Sequence, residues 1–159
     1  MANVAVERQR LRTVIQDSGV AILMTFDEHG IAAGRPMLPL FMANDPDIYF
    51  LTHHGSRKVA QIAARPRVAL TVVASGTYLF ITGQADLSRS THLIEALWHP
   101  SYRAWFPNGE TDVSVVRVRV ERVDYWEPPR SRVTRVFQAA RAMVTGRAVE
   151  TEMKSIDGL

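Results

Sequence analysis

The chain contains no cysteine. Disulfides, thiolate metal sites and a cysteine nucleophile are therefore excluded. Lysine is almost absent: of 19 basic residues only Lys58 and Lys154 are lysines. No apolar run is long enough to span a membrane, and the first residues, MANVAVERQRLR, lack the apolar stretch and small-residue cleavage site of a secretory signal. The expected location is the cytoplasm. An unbroken basic face is also missing. The formal charge is only +3, and Glu121, Asp124, Glu127, Glu150, Glu152 and Asp157 interleave with the arginines beyond residue 116. That argues against a nucleic-acid partner. His53 and His54 are adjacent, so on a strand end they point to opposite sides, with no paired carboxylate nearby; no metal site is expected. Ser56 lies in Gly-Ser-Arg-Lys rather than a nucleophile elbow, which speaks against hydrolase chemistry. No acid–base constellation stands out, and the sequence assigns no catalytic residue.

What is present fits one folded domain. The 159 residues, 47% hydrophobic and 22% charged, are enough for a real core. The most informative stretch is IYFLTHHGSRKVAQIAARPR, residues 48–67. Ile48 to Thr52 is β-branched and aromatic, a strand signal. After His53-His54-Gly55, Ser56 opens a helical pattern carrying Val59, Ile62 and Ala63, with Pro66 beyond its end. The Ser56 hydroxyl is suited to accept from a free amide of the first turn. Arg57 and Lys58 come next, and cations there oppose the helix dipole by about 0.3–1 kcal/mol each. Two readings follow. One is a phosphate site at Thr52, Ser56, Arg57 and Lys58; the other is a capped surface helix with two solvated cations.

Elsewhere the spacing predicts a first helix over residues 3–16, with Val4, Leu11, Val14 and Ile15 on one face. VAILMTF (20–26) reads as a strand buried on both faces. Its return strand, residues 31–43, carries Pro36 and Pro39 and must be an edge, bulged or broken. Arg35 sits there in apolar surroundings and needs an anionic or carbonyl partner, which makes it either a site residue or one side of a structural salt bridge. Strands follow over 67–73 and 77–87, with Gly83 marking a bulge or close approach. Ser88 is read as the cap of a short helix, RSTHLIEALW. Residues 113–125 alternate until the phase shifts near Arg122, where a bulge is expected. A last helix is expected over 133–144. The reading is a mainly β protein: six antiparallel strands closing as a small barrel with peripheral helices. Residues 1–145 form the single domain, and residues 146–159 form a polar tail, mobile or docked on a partner.

The order of these motifs resembles the pyridoxamine 5'-phosphate oxidase-like split-barrel flavoproteins, and within them the general stress protein 26 branch. The residues carrying the likeness are Arg35-Pro36-Met37, Tyr49-Phe50-Leu51-Thr52, Gly55-Ser56-Arg57-Lys58-Val59 and Pro66-Arg67-Val68. Ala96-Leu97-Trp98, Arg103-Ala104-Trp105-Phe106-Pro107, Val123-Asp124-Tyr125-Trp126 and Ala142-Met143-Val144-Thr145-Gly146 continue it. The resemblance implies a six-stranded FMN-binding split barrel and a homodimer with flavin mononucleotide (FMN) at the subunit interface. It implies that Arg35, Ser56, Arg57 and Lys58 meet the phosphate and ribityl chain. Met37 and Thr52 would line the flavin ring, and Trp105 or Trp98 would cover it. The oxidases proper carry a lysine shortly after the strand-two arginine, where this chain has Leu38, Pro39 and Leu40. Their terminal arginine and histidine motif has no counterpart after Trp126. The implied function is a flavin-dependent, stress-related oxidoreductase on an unidentified small molecule, with a nicotinamide donor. The alternative is a non-catalytic flavin-binding stress protein. FAD or a deazaflavin in place of FMN stays open.

Overall fold

The computed structural model describes residues 2–74, 76–127 and 153–159. Helix α1 (Ala2–Ser18) lays Leu11 and Ile15, one turn apart, fully into the core. Gly19 ends it at φ 65°, a left-handed conformation that glycine adopts without a Cβ clash. Strands β1 (Ala21–Phe26) and β2 (Ala32–Met37) form a hairpin, with Leu23 opposite Arg35 and Ala21 opposite Met37. The Asp27 carboxylate closes the turn by accepting from the amides of His29 and Ile31. β2 is an edge strand, which tolerates Pro36 because no neighbour needs its missing N–H. β1 corrects the expectation of burial on both faces: Ala21, Leu23 and Thr25 are buried, while Ile22 is 38% exposed. One face of this hairpin meets the core; on the other, Ile22 is exposed and Met24 and Phe26 are half-buried.

The chain continues through β3 (Ile48–His53), α2 (Arg57–Ala64), β4 (Arg67–Ala74), β5 (Thr77–Ser88) and α3 (Thr91–Leu97). Two 3-10 turns, Pro100–Ala104 and Gly109–Asp112, lead into β6 (Val113–Trp126), and β7 is Met153–Asp157. The cap of α3 is Ser90, not Ser88; the Ser90 hydroxyl accepts from the Leu93 amide. The strand order is β2-β1-β4-β5-β6-β3, all antiparallel, with β7 also on β6. β6 is long enough to take β5 along one edge and two strands along the other. Val113 to Val118 pair with β3, and Arg122 to Trp126 pair with β7. The described strands therefore number seven rather than six, because part of the expected polar tail is a strand. Its ladder occupies the half of β6 that β3 leaves free, and Ile156 packs on the core. The helix expected over 133–144 lies outside the described residues.

The sheet is a split barrel rather than a closed one. β2 and β3 are linked only by a bridge just past β2, where Leu40 and Tyr49 exchange both backbone bonds at 2.8 and 2.9 Å. The bulge falls between Thr82, opposite Arg122, and Gly83, opposite Val120, leaving Glu121 as the extra residue. A Cβ on residue 83 would lie 2.2 Å from the Arg119 carbonyl oxygen, so the close approach read from Gly83 is real. β3 divides two cores. Ile48 and Phe50 face the barrel interior, while Tyr49 and Leu51 face a second cluster built from α3, the 3-10 segments and the start of β6. Among the described residues, no helix is long and apolar enough to cross a membrane.

Candidate functional site

The open seam between β2 and β3 carries the site. Arg35 shares the inner face of the hairpin with Leu23, and Thr25 lies one step along that face. α2 packs over β1 and brings Gln61 down onto Thr25. The result is a polar triad under the helix. Arg35 Nη1 donates to Thr25 Oγ1 at 2.6 Å, Thr25 donates to Gln61 Oε1 at 2.6 Å, and Arg35 Nη2 reaches the same oxygen at 3.4 Å. Arg35 thus finds a hydroxyl and the side-chain carbonyl of Gln61, and no carboxylate pairs with it among the described residues.

The start of α2 completes the polar end. Lys58 Nζ donates to Thr52 Oγ1 at 2.7 Å, and Thr52 Oγ1 lies 3.3 Å from Ser56 Oγ. Ser56 occupies the N-cap position in an extended conformation, but its hydroxyl accepts no amide of the first turn. It turns toward Thr52 instead, which corrects the expected capping bond and leaves first-turn amides free. Arg57 is exposed; Lys58 and Arg35 are half-buried. Burial holds Lys58 below its ordinary pKa, and the nearby Arg35 charge adds to that. Burial likewise lowers Arg35, with Arg57 as the second cause. Three cations therefore converge, and none pairs with a carboxylate among the described residues. Like charges at close range in a half-desolvated site are costly unless an anion joins them.

Next to this end lies a cleft of about 450 Å³. It is lined by Met37, Thr52 and Lys58, by Pro36, Leu38, Leu40 and Leu51, and by Val20, His53, Tyr102, Trp105 and Phe106. Trp105 is 64% exposed. Trp98 lies elsewhere, packed edge-on to Tyr102 and tilted against Phe106 in the second core. The structure thus brings Met37, Thr52, Lys58 and Trp105 to one cleft. Ser56 joins it through Thr52, and Arg35 and Arg57 join it through the shared charge. Thr25 and Gln61 were not read from the sequence. The available signal for Gln61 was its spacing, four residues after Arg57 on the helix. Thr25 carried none, being one polar residue in an apolar strand.

A model of the family described as "Pyridoxamine 5'-phosphate oxidase like" matches residues 6–150. No curated protein matches the chain by sequence. Among solved structures, a protein described as general stress protein 26 from Jannaschia sp. CCS1 is similar over 99% of both chains, with 20% identity and a TM-score of 0.72. The general stress FMN/FAD binding protein from Xanthomonas citri aligns with 82% of this chain and 93% of its own, at 19% identity and a TM-score of 0.68. A heme binding protein from Mycobacterium smegmatis aligns with 94% of this chain and 57% of its own, at 16% identity and a TM-score of 0.66. At such identities these structures speak for the fold, while the family model covers nearly the whole chain. The chain belongs to the pyridoxamine 5'-phosphate oxidase-like family.

Proposed function

We propose that this chain binds FMN and works as a flavin-dependent oxidoreductase on a small molecule. The observation that carries the reading is the convergence of Arg35, Arg57 and Lys58 without a carboxylate, at the start of a helix and beside an apolar cleft. A phosphate dianion converts that repulsion into attraction, and the free first-turn amides of α2 add to it. In this reading Lys58, Arg57 and Arg35 hold the phosphate, with the Ser56 and Thr52 hydroxyls beside it. Met37, Thr52 and Trp105 flank the ring. The cleft volume falls within the range of about 300–1,000 Å³ usual for small-molecule sites. A bound flavin supplies two-electron redox chemistry, and the protein supplies binding, orientation and electrostatics. Here the cations fix one end, and the apolar walls keep water from the other. The FMN/FAD binding protein of X. citri, with the same fold, supports the choice of ligand.

The cleft is open on the side where Val20, Leu38 and Trp105 are exposed. A second copy of the chain, laid over this side and the exposed face at Ile22, would close it. The working unit in this reading is a homodimer with the flavin at its interface. Pyridoxamine phosphate is not the expected substrate, since Leu38, Pro39 and Leu40 stand where the oxidases carry a lysine.

The test is the visible spectrum of the purified protein, followed by fluorescence titration with FMN, FAD, a deazaflavin and riboflavin. A flavin spectrum and a strong preference for FMN over riboflavin are expected. A Soret band in its place would point to heme and overturn the reading. Bleaching of the flavin by NADH or NADPH, and its return with air or an added acceptor, is the outcome expected of an oxidoreductase. A flavin that stays oxidised would leave the chain a flavin-holding protein without turnover.

A further inference from the structure

One residue of the cleft, His53, belongs to a polar pair that phosphate binding does not use. His53 closes β3 and lines the cleft, and its Nδ1 lies 3.0 Å from the Asp112 carboxylate at the end of the second 3-10 turn. The pair is braced. The imidazole packs on the Phe106 ring at 4.8 Å between centroids, and the neighbouring His54 amide donates to the Asp112 carbonyl at 2.9 Å. The His54 ring is engaged elsewhere, with its Nδ1 3.0 Å from the Ser114 hydroxyl. A carboxylate only accepts, so the Nδ1 facing Asp112 carries the proton. Nε2 is left as the ring nitrogen without a partner among the described residues.

We propose that His53 is the proton-exchanging group of this cleft, that Asp112 is its positioning residue, and that the substrate is a small uncharged quinone. The proposal rests on the flavin reading above. Of the titratable groups around His53, Asp112 of the second 3-10 turn is bonded to it, while Lys58 of α2 and Tyr102 of the first 3-10 turn line the same cleft. The aromatic and aliphatic lining, Val20, Leu38, Tyr102, Trp105 and Phe106, suits a planar uncharged molecule better than an anion. A bound flavin, reduced by a nicotinamide donor, would supply the hydride to one quinone oxygen; the step assigned to His53 is the proton that follows. The ring electrons shift to the other oxygen. That oxygen forms its O–H bond as the Nε2–H bond breaks, and the neutral imidazole regains a proton from solvent. One hydride and one proton turn the quinone into the hydroquinone.

The experiment compares the FMN-loaded parent with His53→Gln and Asp112→Asn. Its first readout needs no turnover: the midpoint potential of bound FMN across the imidazole range, about pH 5 to 8. If His53 takes up a proton on reduction, the slope of potential against pH in His53→Gln falls to roughly half that of the parent, because one of two protons is no longer taken up. In Asp112→Asn the parent slope is kept, while kcat for 1,4-naphthoquinone falls with KM unchanged, because the imidazole has lost the carboxylate that holds it in place. FMN binding is measured for each variant, so that the slopes are compared between flavin-loaded proteins. The second readout is NADPH-driven reduction of 1,4-naphthoquinone, expected to fall about a hundredfold in kcat in His53→Gln. FMN bound normally, with identical slopes in parent and His53→Gln, would overturn this proposal and leave the flavin reading intact. A parent that binds no FMN would overturn both.

Discussion

Lys58→Met keeps the alkyl stem of a half-buried side chain and deletes its charge, so it isolates what the ammonium does. Without ligand that charge is a burden. Nζ has the Thr52 hydroxyl as its partner at 2.7 Å, and burial together with Arg35 holds its pKa below the ordinary lysine value. A lysine whose folded-state pKa lies below its unfolded value destabilises the fold while charged. The penalty is full at pH below the folded value and fades as pH rises through it and on to the unfolded value. The ligand-free methionine variant is therefore expected to melt no lower than the parent at neutral pH, with any gain disappearing in alkaline solution. Thr52 keeps the Ser56 hydroxyl as a neighbour at 3.3 Å.

With FMN the sign reverses. A charge-assisted bond to the phosphate is worth about 1.5–3 kcal/mol when lost. Each 1.4 kcal/mol is about a factor of ten, so Lys58→Met is expected to weaken FMN by roughly ten- to a hundredfold. Arg57 is exposed, and solvent screens it. Arg57→Ala is therefore worth about 0.3–1 kcal/mol, a two- to fivefold loss that shrinks further in salt. Riboflavin, which lacks the phosphate, is expected to bind weakly and to ignore both changes. Fluorescence titration of both ligands, with melting curves of the ligand-free proteins, makes the comparison. Equal losses for riboflavin and FMN would refute the reasoning, as would a clear drop in the ligand-free melting temperature of Lys58→Met.

Three further outcomes can be checked directly. Sedimentation at micromolar concentration is expected to give a dimer, and Ile22→Asp, on the exposed face of β1, is expected to shift it to monomer. Gly83→Ala is expected to cost at least about 1–3 kcal/mol in urea unfolding, because its Cβ would meet the Arg119 carbonyl oxygen at 2.2 Å and backbone cannot give way as a flexible side chain can. Glu7 is held down to about 2 by its bond from Arg10, with the Tyr125 hydroxyl as a second donor. Its stabilising effect is present above the ordinary carboxylate range and is lost as pH falls toward that value, so the acid melting curve of Glu7→Gln is expected to be flatter than the parent's over about pH 5 to 2.

The strands and helices were legible wherever a local pattern determines them. Alternation in residues 113–125 and the β-branched and aromatic run 48–52 place β6 and β3 to within one residue of their observed ends, Val113–Trp126 and Ile48–His53. β7 was not legible. Met-Lys-Ser-Ile-Asp has no pattern of its own, and what holds it is the backbone edge of β6 beyond the last residue paired with β3. The exposed face of β1 failed for the opposite reason. An apolar run looks the same whether its second face is buried or partly exposed, and Ile22 shows the latter at its position.

The site divides along the same line. Thr52, Ser56, Arg57 and Lys58 sit within seven residues, so a strand followed by a helix start was enough to bring them together. The hydroxyls and the amine meet as that spacing implies, although Ser56 turns its oxygen to Thr52 rather than to its own helix. Arg35, Thr25 and Gln61 are a different kind of fact. Their meeting requires the β1–β2 register that sets Leu23 against Arg35, and it requires α2 to lie across β1. A slip of one residue in that register would turn Arg35 to the other face and leave Lys58 the only half-buried cation of the three. The charge convergence that points to a phosphate is thus a property of the register, and no reading of either segment alone contains it.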